Sequence, residues 1–577
     1  MTKSTRISTA ASWLVPVLIF GATVAAFFPA LHNGFVLWDD EMNIVDNSNY
    51  RGLGWPELRW MFTTFHAGHY QPLSWFTLGG DYLLWGMNPA GYHLTNVVLH
   101  AAGAVLFYFV AARLLRVALP AASGAAVTGG AAFAALFFSI HPLRVESVAW
   151  ATERRDVLSG VFLFAAVLAY LGAGEKGPAR RRRLAAAVVF YILSLLSKAS
   201  GMTLPVVLVV LDIYPLRRLP WPPRGWFAET TRHIWLEKIP FFIFAAAAAW
   251  LAVAAQRNTG ALLSVRAYGV GRRFAQVVYA LFFYPWKTVA PTHLSPIYEL
   301  PLRSEGGSLW LIASAVVLAA VVALLFSLRK KYPALAACAV CYLVLVAPVS
   351  GVAQSGIQFV ADRYSYLSCL SWALLAAGVA YTIQSKWKAE PVWIAAAAIL
   401  LSLGGATWKQ TEVWRDSATL WRQAIAFQPK SSFAHYNLGL VLFRQGDIEN
   451  AKLQYEEALR LNPFDAETQN DLGLLLATRG EMDEALRYLQ AAVHSDPSYA
   501  KPYYNIGRIL LRQGRAADAV EYFTTALRLA PGTAEIHENL GRAYALQGRR
   551  EEAIGQFEEA VRIMKARAGA DVGPRQP

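Results

Sequence analysis

The stretch NLGLVLFRQGDIENAKLQYEEALRLNP, residues 437–463, lies within one period of a pattern that recurs down the last third of the chain. Gly439, Gly473, Gly507 and Gly541 stand 34 residues apart, and so do Gly446, Gly480, Gly514 and Gly548. Ala451, Ala485, Ala519 and Ala553 keep the same step, as do Pro429, Pro463, Pro497 and Pro531. Each phased type has a physical use. The first glycine lets two helices pack closely, and the second ends the first helix in a tight turn. The alanine leaves room where the second helix crosses the first. The proline breaks the chain before the next period. The pattern predicts a stack of helix pairs, with Asp416–Phe427 as the second helix of a degenerate preceding unit.

Thirty-four residues with this phasing is the tetratricopeptide (TPR) period. The array is predicted over residues 408–567, with a degenerate first repeat and four full ones, followed by a disordered tail at 568–577. A stacked array of this kind offers a concave surface for extended segments.

Upstream of Trp408 the composition reverses. The whole chain of 577 residues is 55% hydrophobic and only 16% charged. A soluble domain carries about 25% charged residues, so residues 1–407 read as a polytopic membrane domain. Eleven apolar stretches are predicted to span, from Ser12–Leu31 and His93–Leu114 to Tyr366–Ile383 and Pro391–Thr407. Phe274–Ala290 reads as re-entrant or interfacial, because Pro285 and Lys287 interrupt it. The fold class is therefore all-α: a helical membrane domain of about eleven spans, then an α-solenoid.

The net charge of +14 is placed unevenly. Basic clusters such as Arg180–Arg183 and Arg329–Lys331 fall on one side if Phe274–Ala290 does not span, and that side is cytoplasmic. The loop Asn33–Tyr92, the loop after Ile140 and everything after Thr407 then lie outside. A bacterial inner membrane with a periplasmic array is expected, or the endoplasmic reticulum membrane in a eukaryote. The charge marks cytoplasmic loops and not nucleic-acid binding. Cys338, Cys341 and Cys369 lie in apolar segments, so no disulfide is expected. His66, His69 and His100 are too dispersed for a metal site, and no P-loop, GxSxG or HExxH occurs.

Ionisable residues collect at the outer mouth. Asp39, Asp40 and Glu41 follow the first span directly. A carboxylate there can take a proton from an attacking hydroxyl. His141, Glu146, Arg155 and Asp156 surround the entry to the fourth span. Lys198 lies at the next outer turn, and Asp362, Arg363 and Tyr364 at the mouth of the tenth. Arginine forks and a lysine suit a phosphate.

These residues, in this order, resemble the GT-C glycosyltransferases, most closely the transmembrane-and-TPR-containing protein O-mannosyltransferases. Phe35–Asp40 looks like their double-aspartate motif. Tyr70–Leu73 with Gly91–Leu94, Asn96 and His100 resembles the next block. His141, Pro142, Glu146, Val148 and Ala149, then Arg155, Asp156 and Leu158, resemble a third. Leu196–Lys198 with Gly201, then Asp362–Tyr364 with Leu367, continue the series. Gln71 stands where that family commonly has Arg, and Ala199 where it has an acid.

The resemblance implies transfer of a mannose-like hexose from a polyprenyl-phosphate carrier to a protein Ser or Thr hydroxyl, with inversion. Asp39 is then the general base, Asp40 its support and Glu146 the second-loop acid. Arg155, Lys198 and Arg363 are candidates for the donor phosphate. Glu41, His93, His141, Asp156, Asp362 and Tyr364 complete the candidate site. The array would help select the protein acceptor. No bound cofactor is implied beyond the lipid-linked donor, and no divalent metal is required. The rival readings are a non-catalytic membrane-anchored TPR scaffold for envelope assembly, a flippase of lipid-linked sugar and, within the enzyme class, transfer to a glycan or lipid instead of a protein. The outer-mouth acids argue against a scaffold. Charges at the mouth instead of mid-membrane argue against a flippase.

Overall fold

The computed structural model describes residues 9–174, 178–258, 269–299, 307–352, 356, 358–386 and 389–571. The tail beyond 571 lies outside them. The chain divides into two compact units, Met1–Asp416 and Ser417–Pro577. Among the described residues the only sheet is an antiparallel ribbon, Tyr298–Glu299 with Gln358–Val360, in which Tyr298 faces Val360. The fold is all-α.

In the first unit the helix Pro89–Ala118 is the hub. It packs on Thr9–Ala26, Gly124–Ser139 and Arg154–Ala173. Buried Ala101, Gly103, Ala104 and Ala111 bring the backbones close, as small residues do between helices in lipid. His100 ties three elements together: its ring nitrogens meet the Ser139 carbonyl and the Tyr366 hydroxyl, both at 2.9 Å. Gly160 is needed there, since a Cβ would sit 2.7 Å from the Tyr366 ring.

Four helices among the described residues are long and apolar enough to cross a membrane: Pro89–Ala118, Ala151–Ala173, Glu229–Arg257 and Glu390–Glu412. Two bent pairs raise the number to six if each is one span, and four shorter apolar helices accompany them. This is fewer than eleven uninterrupted spans, for a local reason. Helix breaks and charged first turns shorten the others, as in Arg180–Ser197, which opens on four arginines. Phe274–Ala290 is one continuous helix, Val270–Val289, with Pro285 inside it.

Two segments read as outer loops are folded. Asn33–Tyr92 contains the helices Trp55–Thr63 and Pro72–Trp85, around a core that includes Tyr50, Met61, Trp75 and Tyr92. The stretch after Ile140 is not a solvated loop: every residue from Phe138 to Gly160 is buried. Pro142 starts a short 3-10 turn, and the chain bends by 55° between Gly124–Ser139 and Pro142–Ala149. A second bend of 59° separates Asp362–Ser368 from Leu370–Lys386. These bends carry the ionisable residues.

The second unit begins with Ser417–Phe427 and continues as four helix pairs, from Ser432–Arg444 with Ile448–Leu461 to Ala534–Leu546 with Arg550–Asp571. Gly446, Gly480, Gly514 and Gly548 all have positive φ, 75–84°, at the turn inside each pair. At Gly439 and Gly507 a Cβ would lie 2.7 Å from the Tyr455 and Phe523 rings. Both phased glycines thus serve the turn and the close approach that their spacing implied.

Candidate active site

The two adjacent aspartates are in different states. Asp40 is fully buried and saturated. Its Oδ1 accepts from the Thr152 backbone N–H at 2.8 Å and the Thr152 hydroxyl at 2.6 Å, and its Oδ2 from the Val36 N–H at 3.1 Å. Burial still pushes its carboxyl up to about 7. Asp39 is half-buried, and none of the hydrogen bonds or ion pairs among the described residues involves its carboxylate. Burial raises Asp39 above the usual carboxylate range, against the pull of Arg155 and Arg363. A raised, accessible carboxylate is a stronger proton acceptor than an ordinary surface aspartate.

Beside it lies a cluster organised by Glu153, which is completely buried. Arg155 forks onto both Glu153 oxygens at 2.6 and 3.1 Å. Lys198 reaches Glu153 at 2.9 Å and Asp156 at 2.7 Å. Arg363 Nε stands 3.4 Å from Glu153, while its terminal nitrogen pairs with Glu146. The Arg363 N–H also donates to Glu146 at 2.7 Å, and its guanidinium to Gln358 at 2.7 Å. Ser147 donates to Asp156 at 3.1 Å. The three cations are therefore held by protein carboxylates in this structure. Lys198 is 20% exposed and Arg363 11% exposed, so neither side chain is wholly closed off.

Tryptophans back the site. Trp38, next to Asp39, stacks on buried Trp150 at 4.7 Å, and Trp150 meets Trp414 at 5.3 Å. The Arg363 guanidinium lies over Trp150 at 5.4 Å and over Tyr364 at 5.1 Å. The Gly34 N–H donates to the Arg415 carbonyl at 2.8 Å, so the end of the last long helix fastens the loop that carries Asp39.

A cavity of about 140 Å³ opens at Lys198. Its polar end holds Lys198, His69, Tyr70 and Gln71; Leu195, Leu196, Phe244, Ala248 and Leu251 line the rest. Buried Gln71 Oε1 has no hydrogen-bond partner among the described residues. Burial, then the charges of Arg155 and Lys198, hold the His69 imidazole well below its ordinary range, so it is neutral. A larger cavity of about 180 Å³, lined by Leu114, Leu163, Leu211 and Cys341, is apolar and touches none of the site candidates.

The cluster thus gathers Glu146, Arg155, Asp156, Lys198 and Arg363, with Asp39 in the field of its arginines and Tyr364 under Arg363. Other candidates hydrogen-bond outside it, although Asp362 lies close enough to Glu146 to feel its charge. His141 caps the turn that follows it, accepting from the Leu143 N–H at 3.2 Å and meeting the Thr288 carbonyl at 3.0 Å. His93 meets the Gly34 carbonyl at 3.3 Å. Asp362 is buried and accepts from the Tyr298 hydroxyl at 3.0 Å. Glu41 opens the short helical segment Glu41–Val45. Sequence reading missed the roles of Glu153, Thr152 and His69. The run of four charges Glu153-Arg154-Arg155-Asp156 was the available signal, yet only coordinates separate Arg155 from Arg154. The latter pairs with Asp81 at 2.6 Å and donates to the Tyr92 carbonyl at 2.8 Å, away from the cluster. Among the described residues no three His, Cys, Asp or Glu side chains form a metal-binding group.

Tetratricopeptide repeat models match residues 498–566, and 401–453 with 436–500. A Caenorhabditis elegans protein described as a protein O-mannosyl-transferase is 24% identical over 77% of this chain and 62% of its own length. The human protein O-mannosyl-transferase TMTC1 is 26% identical over 77% of this chain and 54% of its own. The mouse protein O-mannosyl-transferase TMTC3 is 32% identical over 28% of this chain and 17% of its own. The chain thus spans less than two thirds of the curated relatives it matches. A crystal structure of MamA aligns at 23% identity, covering 26% of this chain and 89% of that one, with a TM-score of 0.25. The chain is O-mannosyl-transferase-like in sequence and carries tetratricopeptide repeats.

Proposed function

We propose that the protein transfers a mannose-like hexose from a polyprenyl-phosphate carrier to a Ser or Thr hydroxyl of a protein on the outer side of the membrane. The observation that carries this reading is the unpartnered Asp39 carboxylate beside a cation cluster that adjoins a cavity polar at one end and apolar at the other. The acceptor hydroxyl oxygen attacks the anomeric carbon and gives its proton to Asp39. The anomeric C–O bond breaks in the same displacement, its electron pair leaves with the carrier phosphate, and configuration inverts. The positive charges of Lys198 and Arg363 stabilise that phosphate, and the isoprenoid chain lies along Leu195, Phe244 and Leu251. Trp38 offers a rigid face beside the base. The repeat array selects the protein acceptor. The test is incubation of the purified chain with polyprenyl-phosphate mannose and a Ser/Thr peptide. A peptide mass gain of one hexose is expected; no gain with folded chain returns the protein to the scaffold class.

Two outcomes follow from this reading. Ala248→Trp fills the apolar arm of the cavity, so KM for the lipid-linked donor rises several-fold while kcat changes little. An unchanged KM removes the carrier from this cavity. Residues after Thr407 lie outside, in a bacterial periplasm, so a C-terminal alkaline phosphatase fusion is active and a fluorescent protein that matures only in the cytoplasm stays dark. The reverse pattern moves the Asp39 site to the cytoplasmic face.

A further inference from the structure

Within the second unit, the first helices of successive repeats lie side by side. Asn437, Asp471, Asn505 and Asn539 hold equivalent places on them, 34 residues apart. Bonds link this row between repeats: Tyr436 donates to Asp471 at 3.0 Å, Asn505 to Asn470 at 2.9 Å and Asn539 to Tyr504 at 3.1 Å. Midway along lies a cavity of about 60 Å³ with an apolar floor of Leu474, Ala477, Leu489 and Ile509. Asn505, Arg508 and Arg512, on successive turns of the helix Ala500–Arg512, also line it.

Ion pairing sets those arginines apart from many others in the array. Arg460, Arg515, Arg542 and Arg562 each pair with a carboxylate three or four residues away, at 2.5–2.6 Å. Arg508 and Arg512 have no ion-pair partner among the described residues; Arg508 lies over the Tyr504 ring at 5.5 Å. Two uncompensated guanidiniums one turn apart, above an apolar floor and beside a side-chain amide, match a carboxylate carried next to an apolar side chain. An amide supplies both donor and acceptor to a passing backbone.

We propose that this groove binds an extended acidic polypeptide segment, with an Asp or Glu side chain seated between Arg508 and Arg512. The seat lies between the second and third helix pairs, with a further pair beyond each, so an extended chain has array surface on both sides of it, and the carboxylate proposed is a side chain within that run. The inference rests on the acceptor-selection reading for the segment's role, but not for its binding.

The test uses the full chain in nanodiscs and fluorescence anisotropy of a labelled, C-terminally amidated peptide with apolar–Glu steps and no Ser or Thr. Binding that weakens with salt is expected, with about tenfold loss on Glu→Gln exchange in the peptide. The double variant R508Q/R512Q loses about tenfold for the acidic peptide and nothing for the Gln peptide. R528Q removes an exposed charge on the second helix of the same repeat and binds as the parent does. Equal affinity for both peptides, an equal loss in R528Q, or tightening only by a free terminal carboxylate overturns the proposal. Binding without any sugar transfer leaves this site standing and removes the transferase reading. Transfer to protein without acidic-peptide binding does the opposite.

Discussion

Asp39→Asn lowers sugar transfer by roughly 10²–10⁴-fold, the usual cost of removing a general base, while donor binding and thermal stability stay near the parent's. The physical reason lies in its surroundings. Its carboxylate accepts no hydrogen bond among the described residues, so the amide disturbs none, yet the amide cannot take the hydroxyl proton. Asp40→Asn behaves differently. Both Asp40 oxygens accept from backbone N–H groups, and an Asn NH₂ must face one of those donors. An unsatisfied buried pair costs about 1–3 kcal/mol, so this variant loses stability together with activity. The pH profile separates the roles further. The base works ionised, and the Asp39 carboxyl is raised. The rate therefore falls as pH drops through a value above the ordinary aspartate range, and that acid limb disappears in Asp39→Asn. Turnover, thermal midpoint and donor binding on each variant decide it. Parent-like turnover in Asp39→Asn removes the base assignment.

Glu153→Gln has the largest expected effect on stability. Glu153 is the common partner of Arg155, Lys198 and Arg363, at 2.6, 2.9 and 3.4 Å, and no part of it is exposed. Removing its charge leaves three cations paired with Glu146 and Asp156, with the Asp39 carboxylate nearby. Breaking a buried ion pair from one side costs about 3–5 kcal/mol, because the remaining charge is desolvated and uncompensated. The thermal midpoint in detergent falls sharply, and transfer falls with it because Arg155 and Arg363 lose their anchor beside Asp39. Adding Lys198→Met to Glu153→Gln recovers part of the midpoint by removing one of the stranded charges, without restoring transfer. An unaltered midpoint in Glu153→Gln shows that hydrogen bonding, and not charge balance, holds the cluster.

Much of the candidate site was legible as residue types at helix mouths. Asp39, Glu146, Arg155, Lys198 and Arg363 fall at ends of apolar segments, where an unpaired charge is costly. His69 was not legible. It lies in the segment between the first two apolar stretches, far in sequence from Lys198, and its neighbours come from helices that only packing brings together. His141 precedes a proline and caps the turn that follows, a local contact that sequence alone did not separate from a role in the site.

The repeat array was determined by the sequence alone. A 34-residue period needs only contacts within a pair and with the next pair, so glycine, alanine and proline spacing suffices to specify turns, crossings and breaks. The all-α class and the apolar character of the first unit were equally local, since they follow from composition and segment length. Tertiary structure decided what depends on distant partners. It separated Asp39 from Asp40, because Thr152 lies 112 residues away and bonds only one of them. It set Arg154 on Asp81 and Arg155 on Glu153, although the two arginines are neighbours. It turned the stretch after Ile140 from a loop into buried core. Adjacent residues on a helical turn point in different directions, and which direction meets a partner is fixed by the packing of whole helices, information no local pattern carries.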